Sequence, residues 1–214
     1  MILEGRVEAG VRSLAKFSIS GRLTSIKCAP GDLIKRGQLL ATLNKKELQT
    51  LLDRALKQYD LERALFDEKQ KENQSEYEKR KYQDMLDISV KNVEIAKINL
   101  DAADLFASIN GIVTVVDQNS PGDNITPAGF VIGLVDPASL YFQSHIPEDK
   151  LSRLTVGQKC RVTFKTYAGK DRSGVLEYIG YSSVKPGLYE GRIKLDDLAG
   201  LRLDLSGKAE FTDT

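Results

Sequence analysis

The sequence predicts a mainly β, elongated, multidomain protein with an α-helical hairpin inserted into it. Three observations carry that prediction. Glycine and proline recur at both ends of the chain, yet no glycine lies between Gly37 and Gly111 and no proline between Pro30 and Pro121. Within that window, residues 45–104 hold heptad-spaced apolar residues among 12 basic and 14 acidic side chains. The flanking segments repeat each other: glycine, short apolar strand, Pro-Gly-Asp, strand, glycine, apolar strand.

At 214 residues the chain has room for two or three small domains. With 41% hydrophobic and 29% charged residues it has the composition of an ordinary folded protein. The formal net charge of +1 gives no global bias toward nucleic acid, which is not expected as a partner, or toward an anionic bilayer. No run approaches the ~18–20 apolar residues of a membrane helix. Met1-Ile2-Leu3-Glu4-Gly5-Arg6 lacks the basic and then apolar regions of a signal peptide. Composition therefore leaves open a cytosolic protein or one whose export signal lies outside this sequence. Cys28 and Cys160 form no Cys-x-x-Cys pair, which removes zinc and redox motifs, and two half-buried thiols or one disulfide both fit.

The helical stretch, residues 44–104, divides into two arms. Leu48, Leu52, Ala55, Tyr59 and Phe66 follow alternating steps of four and three, with Glu62 in one slot. Leu86, Val90, Val93, Ala96, Leu100 and Ala103 line a face of the second arm. Each arm thus has one narrow apolar stripe, and two such stripes bury each other in an antiparallel pair. One unbroken helix pairing with a second chain is the alternative. Lys71-Glu72-Asn73-Gln74-Ser75 sits at the midpoint, and Ser75-Glu76-Tyr77-Glu78 fits a capping box opening the second helix. Asn44 is suited to cap the first. Arms of roughly 28 residues would reach about 42 Å.

In the flanks the repeated signals are Gly21, Pro30-Gly31-Asp32 and Gly37, then Gly111, Pro121-Gly122-Asp123 and Gly129. These residues supply turn dihedrals that others resist. Ile26, Leu33, Ile34, Leu39, Leu40 and Leu43 are expected to be buried, with Ile112, Val113, Val115, Ile125, Val131, Ile132 and Leu134 in the second half. Neither half buries its apolar face alone, so residues 1–43 and 105–136 are expected to stack as one small β-domain. Residues 137–214 follow as a β-barrel domain, with strands read by alternation in Gly174-Val175-Leu176-Glu177-Tyr178-Ile179-Gly180 and Arg192-Ile193-Lys194-Leu195.

Two such halves resemble the biotinyl/lipoyl domain. There the turn between the halves carries a modified lysine; here the whole hairpin replaces it, and Lys45 and Lys46 lack any Glu-x-Asp-Lys or Met-Lys-Met context. A lipoyl-like domain split by a helical hairpin resembles the membrane fusion proteins, the periplasmic adaptors of tripartite efflux pumps and hemolysin-type secretion systems. Ser20-Gly21-Arg22-Leu23, Lys35-Arg36-Gly37-Gln38-Leu39-Leu40-Ala41, Leu105-Phe106-Ala107-Ser108-Ile109-Asn110-Gly111-Ile112-Val113 and Leu154-Thr155-Val156-Gly157-Gln158 match that family's pattern. The resemblance implies a periplasmic adaptor held at the inner membrane by a signal or anchor not present in this chain. It implies an inner-membrane transporter of the ABC or RND type and an outer-membrane channel as partners, with self-association into a hexamer. It implies that the hairpin tip, Lys69, Gln70, Lys71, Glu72, Asn73, Gln74, Ser75 and Tyr77, meets the channel. The Arg-x3-Leu-x6-Ser tip pattern of many relatives is broken by Asp67, four positions after Arg63, and Ser75 falls one residue out of register. A non-catalytic scaffold and a biotinyl or lipoyl carrier are the other readings.

No catalytic, cofactor or metal site is expected. His145 is the only histidine and Met1 and Met85 the only methionines, too few for a soft-metal site. There is no Gly-x-Ser-x-Gly elbow. Gly5-Arg-Val-Glu-Ala-Gly10 lacks the Gly-Lys-[Ser/Thr] of a phosphate loop. Asp196-Asp197 reads as a solvated turn.

Overall fold

A computed structural model describes residues 1–71, 75–127, 129–167 and 171–211. Strand β1 (Ile2–Ala9) opens the chain, followed by β2 (Arg12–Ala15), β3 (Gly21–Ile26), β4 (Leu33–Ile34) and β5 (Leu39–Leu43). Helices α1 (Lys45–Gln70) and α2 (Glu76–Asp101) come next, then β6 (Asp104–Phe106), β7 (Gly111–Val116), β8 (Asn124–Ile125) and β9 (Ile132–Val135). The remaining strands are β10 (Leu140–Pro147), β11 (Lys159–Phe164), β12 (Arg172–Lys185), β13 (Leu188–Leu195) and β14 (Ser206–Phe211). The chain divides into two units nested in sequence: Leu14–Leu134 forms one, and Met1–Ser13 with Val135–Thr214 the other.

The inner unit holds two four-stranded sheets, β2-β9-β7-β4 and β6-β5-β3-β8. Exchanging the halves β2–β5 and β6–β9 converts one order into the other. The pairing shows the same exchange, with Gly21 opposite Ile125 and Gly111 opposite Ile34. The two Pro-Gly-Asp turns make the exchange physical. Gly31 N–H donates to the Val113 carbonyl (2.8 Å) and Val113 N–H to the Asp32 carbonyl (3.0 Å). In mirror fashion Gly122 N–H donates to the Leu23 carbonyl (2.7 Å) and Leu23 N–H to the Asp123 carbonyl (2.8 Å). Each turn therefore clamps the first strand of the other half. Each is closed by its own aspartate, whose carboxylate accepts from Ala29 N–H and from Ser120 N–H, both at 2.8 Å.

The glycines divide by role. Gly31 (φ 97°), Gly37 (φ 82°) and Gly122 (φ 106°) occupy left-handed backbone, where a Cβ is penalised. Gly129 does not; there a Cβ would lie 2.9 Å from Thr126 Oγ1, so the constraint is space.

Both halves fill one core, with Leu23, Ile34, Leu40 and Leu43 meeting Val113, Ile125, Ile132 and Leu134. Phe17 and Phe130 complete it with ring centroids 5.7 Å apart. Each such side chain contributes about 1.5–3 kcal/mol by leaving water. Not every expected core residue is there: Ile26, Leu39, Ile112 and Val131 are only half-buried. Leu33 is 74% exposed and Val115 is also exposed. In the two-residue strand β4 only one side chain points inward; Ile34, opposite Gly111, takes that place, so Leu33 pairs with Ile112 on the outer face.

The outer unit is a closed six-stranded barrel, ordered β1-β10-β13-β12-β11-β14. Residues 1–13 were expected with the first half of the split β-domain; they belong to the barrel instead. β1 closes it by pairing antiparallel with β10 and β14. Leu3, Val7 and Ala9 alternate into the barrel core, and Gly5 admits β10 closely, since a Cβ there would lie 2.1 Å from the Gln143 carbonyl oxygen. Phe142 and Phe164 meet edge to face inside, 5.9 Å apart at 73°.

Substituting Gly31→Ala or Gly122→Ala is expected to lower unfolding stability by roughly 1–2 kcal/mol each, because only the backbone is strained. At Gly31 no heavy atom lies within 4 Å of the new methyl. Gly10→Ala, whose nearest neighbour would be 3.4 Å away, should change it by less than about 0.5 kcal/mol. Urea midpoints of the three variants check this.

Candidate interaction surfaces

The hairpin rests on two strand ends. Leu43 N–H donates to the Ala103 carbonyl (2.8 Å) and Asn44 N–H to the Arg22 carbonyl (2.7 Å), so both helices leave the sheets side by side. Asn44 caps α1 through its side chain, which accepts from Lys46 N–H at 3.0 Å. Lys45 Nζ lies 2.5 Å from the Asp104 carboxylate, across the two roots. Lys45 and Lys46 thus sit in a helical first turn, not on the β-turn where a carrier lysine is presented.

Each helix runs 26 residues, about 39 Å at 1.5 Å per residue. On α1 the half-buried positions are Leu48, Leu52, Ala55, Tyr59, Glu62, Phe66 and Lys69, an unbroken alternation of four and three. On α2 the stripe read from sequence, Leu86 to Ala103, is half-buried or buried throughout. The seam also contains a residue that pattern reading missed. Ser89 is 3% exposed, the one buried residue of either helix, and its hydroxyl donates to the Leu86 carbonyl at 2.7 Å. A small side chain there lets the helices approach closely. A hydroxyl satisfied within its own helix carries little burial penalty.

At the tip Gln70 ends α1 and Lys71 caps it, its N–H donating to the Glu68 and Lys69 carbonyls. Ser75 caps α2 in a complete capping box: Ser75 N–H to the Glu78 carboxylate at 3.1 Å, Glu78 N–H to Ser75 Oγ at 3.3 Å. Lys69 is half-buried at the seam, while Tyr77 is 80% exposed. Glu72, Asn73 and Gln74, also expected at the tip, lie outside the described residues.

Both helices carry a second apolar row turned away from the seam. Leu51, Leu61 and Leu65 are exposed on α1, and Ile88, Ile95 and Ile98 on α2. The sandwich shows a comparable surplus, for which its repeat acts as an internal control. Leu14, Leu33, Ile112 and Val115 in sheet β2-β9-β7-β4 correspond to Asp104, Asn124, Arg22 and Ser25 in the other sheet. Leu14, Leu33 and Val115 are exposed. The same backbone is built with polar residues at these positions, so folding does not demand the apolar ones.

Three solved structures share this architecture. The membrane fusion protein Spr0693 from Streptococcus pneumoniae R6 superposes with a TM-score of 0.83 at 22% identity, over 100% of this chain and 99% of that one. The chain has the fold of a membrane fusion protein. A MacA–MexA chimera carrying the Pseudomonas aeruginosa MexA α-hairpin gives 0.87 at 16% identity, over 100% and 79% of the two chains. ZneB from Cupriavidus metallidurans gives 0.69 at 18%, over 100% and 98%. No protein-family model matches the chain. Among the described residues no helix is long and apolar enough to cross a membrane. Among them, too, no three His, Cys, Asp or Glu side chains gather as metal ligands would.

The two cysteines stand apart in sequence and in unit, and both are free thiols. Burial pushes the Cys160 thiol up to about 11, with the Asp196 carboxylate adding to it. Partial burial, then Asp32, raises Cys28 as well.

Two outcomes follow. Ser89→Leu should destabilise the hairpin by roughly 1–3 kcal/mol through overpacking, while Ser89→Ala stays within about 1 kcal/mol; helical circular dichroism against urea reads the difference. At pH 8 iodoacetamide should leave Cys160 unmodified in the folded protein and alkylate it only after denaturation, because a thiol titrating near 11 holds little thiolate there; mass spectrometry of tryptic peptides checks this.

Proposed function

We propose that this chain is a non-catalytic periplasmic adaptor. It would link an inner-membrane transporter, of the ABC or RND type, to an outer-membrane channel in an efflux or type I secretion system. The observation that carries the reading is the nested architecture. A barrel is interrupted by a pseudo-symmetric sandwich, itself interrupted by a two-helix arm, over the full length shared with the membrane fusion protein Spr0693. On this reading the sandwich is the lipoyl-like domain of the family and the arm reaches toward the channel.

The surplus apolar rows support self-association. A helix needs one stripe to fold back on its neighbour, and these helices carry two. Rows Leu51–Leu65 and Ile88–Ile98 differ from each other, so copies that join through unlike patches close into a ring when the rotation permits. A ring of six is the assembly the family resemblance implies. Exposed charge pairs on the hairpin, each worth under about 1 kcal/mol, then act together with these rows across many copies.

Photocrosslinking tests this in native cells, with the crosslinker placed singly at Tyr77 or Ile95. The Tyr77 position should capture an outer-membrane channel, and the Ile95 position peptides of a second copy containing Leu51, Leu61 or Leu65. Capture of cytosolic proteins at Tyr77 would sink the adaptor reading. Capture of nothing but self at both positions would leave a scaffold.

A further inference from the structure

One rim of the barrel carries a feature that the adaptor reading does not use. A cavity of about 380 Å³ opens there between the start of β1, the end of β10, the turn between β12 and β13, and the short 3-10 helix Glu148–Arg153. Its apolar lining is Ile2, Leu3, Pro147 and Leu188; its polar lining is Lys150, Lys185, His145 and Glu4. Lys150 and Lys185 form no ion pair among the described residues. Glu4 is answered by Lys208, at 3.3 Å on the neighbouring strand β14. Among the charged lining residues, two lysines therefore stand beside one glutamate that is already paired. Glu148 and Asp149 precede Lys150 in the 3-10 helix but do not line the cavity.

The same rim exposes side chains that a water-facing turn does not need. Ile2 is 52% exposed and Val184, beside Lys185, 53%. Tyr181, four residues before Lys185, is 99% exposed. It lies where β12 gains residues over β13, the register jumping between Ile179 and Ser183. Such a bulge bends the strand and re-aims its side chains outward.

We propose that this rim docks on an anionic lipid bilayer. Aliphatic side chains beside unpaired lysines and an amphipathic tyrosine match the layered chemistry of a membrane surface. Ile2 and Val184 enter the acyl boundary, the tyrosine hydroxyl stays at headgroup depth, and Lys150 and Lys185 meet lipid phosphates. A purely acidic peptide would use the lysines but leave the aliphatic and aromatic groups in water. The inference stands on the barrel alone and does not rest on the adaptor reading.

The experiment is co-sedimentation of the full chain with vesicles of phosphatidylglycerol and phosphatidylethanolamine, against phosphatidylcholine alone. Wild-type protein should sediment with the anionic vesicles at low salt and be released as salt rises. Lys150→Glu with Lys185→Glu should weaken partitioning by roughly tenfold or more. Lys150→Arg with Lys185→Arg should retain it. Tyr181→Ser with Val184→Ser should also weaken it, though it leaves every charge in place. Lys27→Glu, an exposed lysine in the other unit, controls for net charge and should bind as wild type. Thermal unfolding of each variant shows that it folds. Failure of the wild type to sediment, equal sedimentation with neutral vesicles, or equal loss from Lys27→Glu would each overturn the proposal.

Discussion

The inner unit depends on one constraint: two half-domains separated by the whole hairpin must find each other. Closing a loop of that size costs only slightly more than closing a short one, because loop entropy grows with the logarithm of length. What makes closure worthwhile is that neither half is complete. Strand β4 borrows β7, and β8 borrows β3. The Pro-Gly-Asp turns convert this borrowing into four backbone hydrogen bonds made only after the halves meet: two at Val113 and two at Leu23. The left-handed glycines at Gly31 and Gly122 belong to this device, since they turn the N–H groups toward the opposing strand.

The hairpin inherits its geometry from that closure. With Leu43 bonded to Ala103 and Asn44 to Arg22, the helix roots are fixed one strand apart, a spacing that antiparallel helix packing accepts. The seam between them is not optimised for stability. Glu62 occupies an apolar slot and accepts from Gln58 at 2.7 Å, and Ser89 fills the most buried position. Polar residues in a coiled-coil seam lower stability while fixing register. A long arm anchored at one end needs register more than stability, since a slip of one heptad would displace its tip by about 10 Å.

Much of this was legible in the sequence, for local reasons. The hairpin announces itself through missing glycine and proline, a four-three stripe and a capping box at Ser75, all readable within a few turns of chain. The Pro-Gly-Asp repeat announces the pairing of halves. β1 was misplaced because strand partners are non-local: its alternation of Leu3, Val7 and Ala9 marks a strand but not a sheet, and both its neighbours lie more than a hundred residues away. Leu33 was misread because a two-residue strand has no alternation to read. Ser89 was missed because a small polar residue gives no apolar signal, though its place seven residues before Ala96 on the same face did mark it.

The repeat also separates what folding requires from what it merely tolerates. Two copies of one structural unit, built within one chain, share every demand that the backbone makes. Where both copies agree, as at Gly21 and Gly111, Leu23 and Val113, or Ile34 and Ile125, the residue is answering the fold. Where they differ in kind, as at Leu33 and Asn124 or Ile112 and Arg22, the fold accepts either, and the apolar choice needs another cause. Leaving Leu33 in water forgoes roughly the 1.5–3 kcal/mol that burying it would release. That unspent driving force is what a second surface would recover, and it is concentrated on one sheet of the two. The asymmetry laid over a symmetric scaffold is therefore the part of this unit that its own folding does not account for.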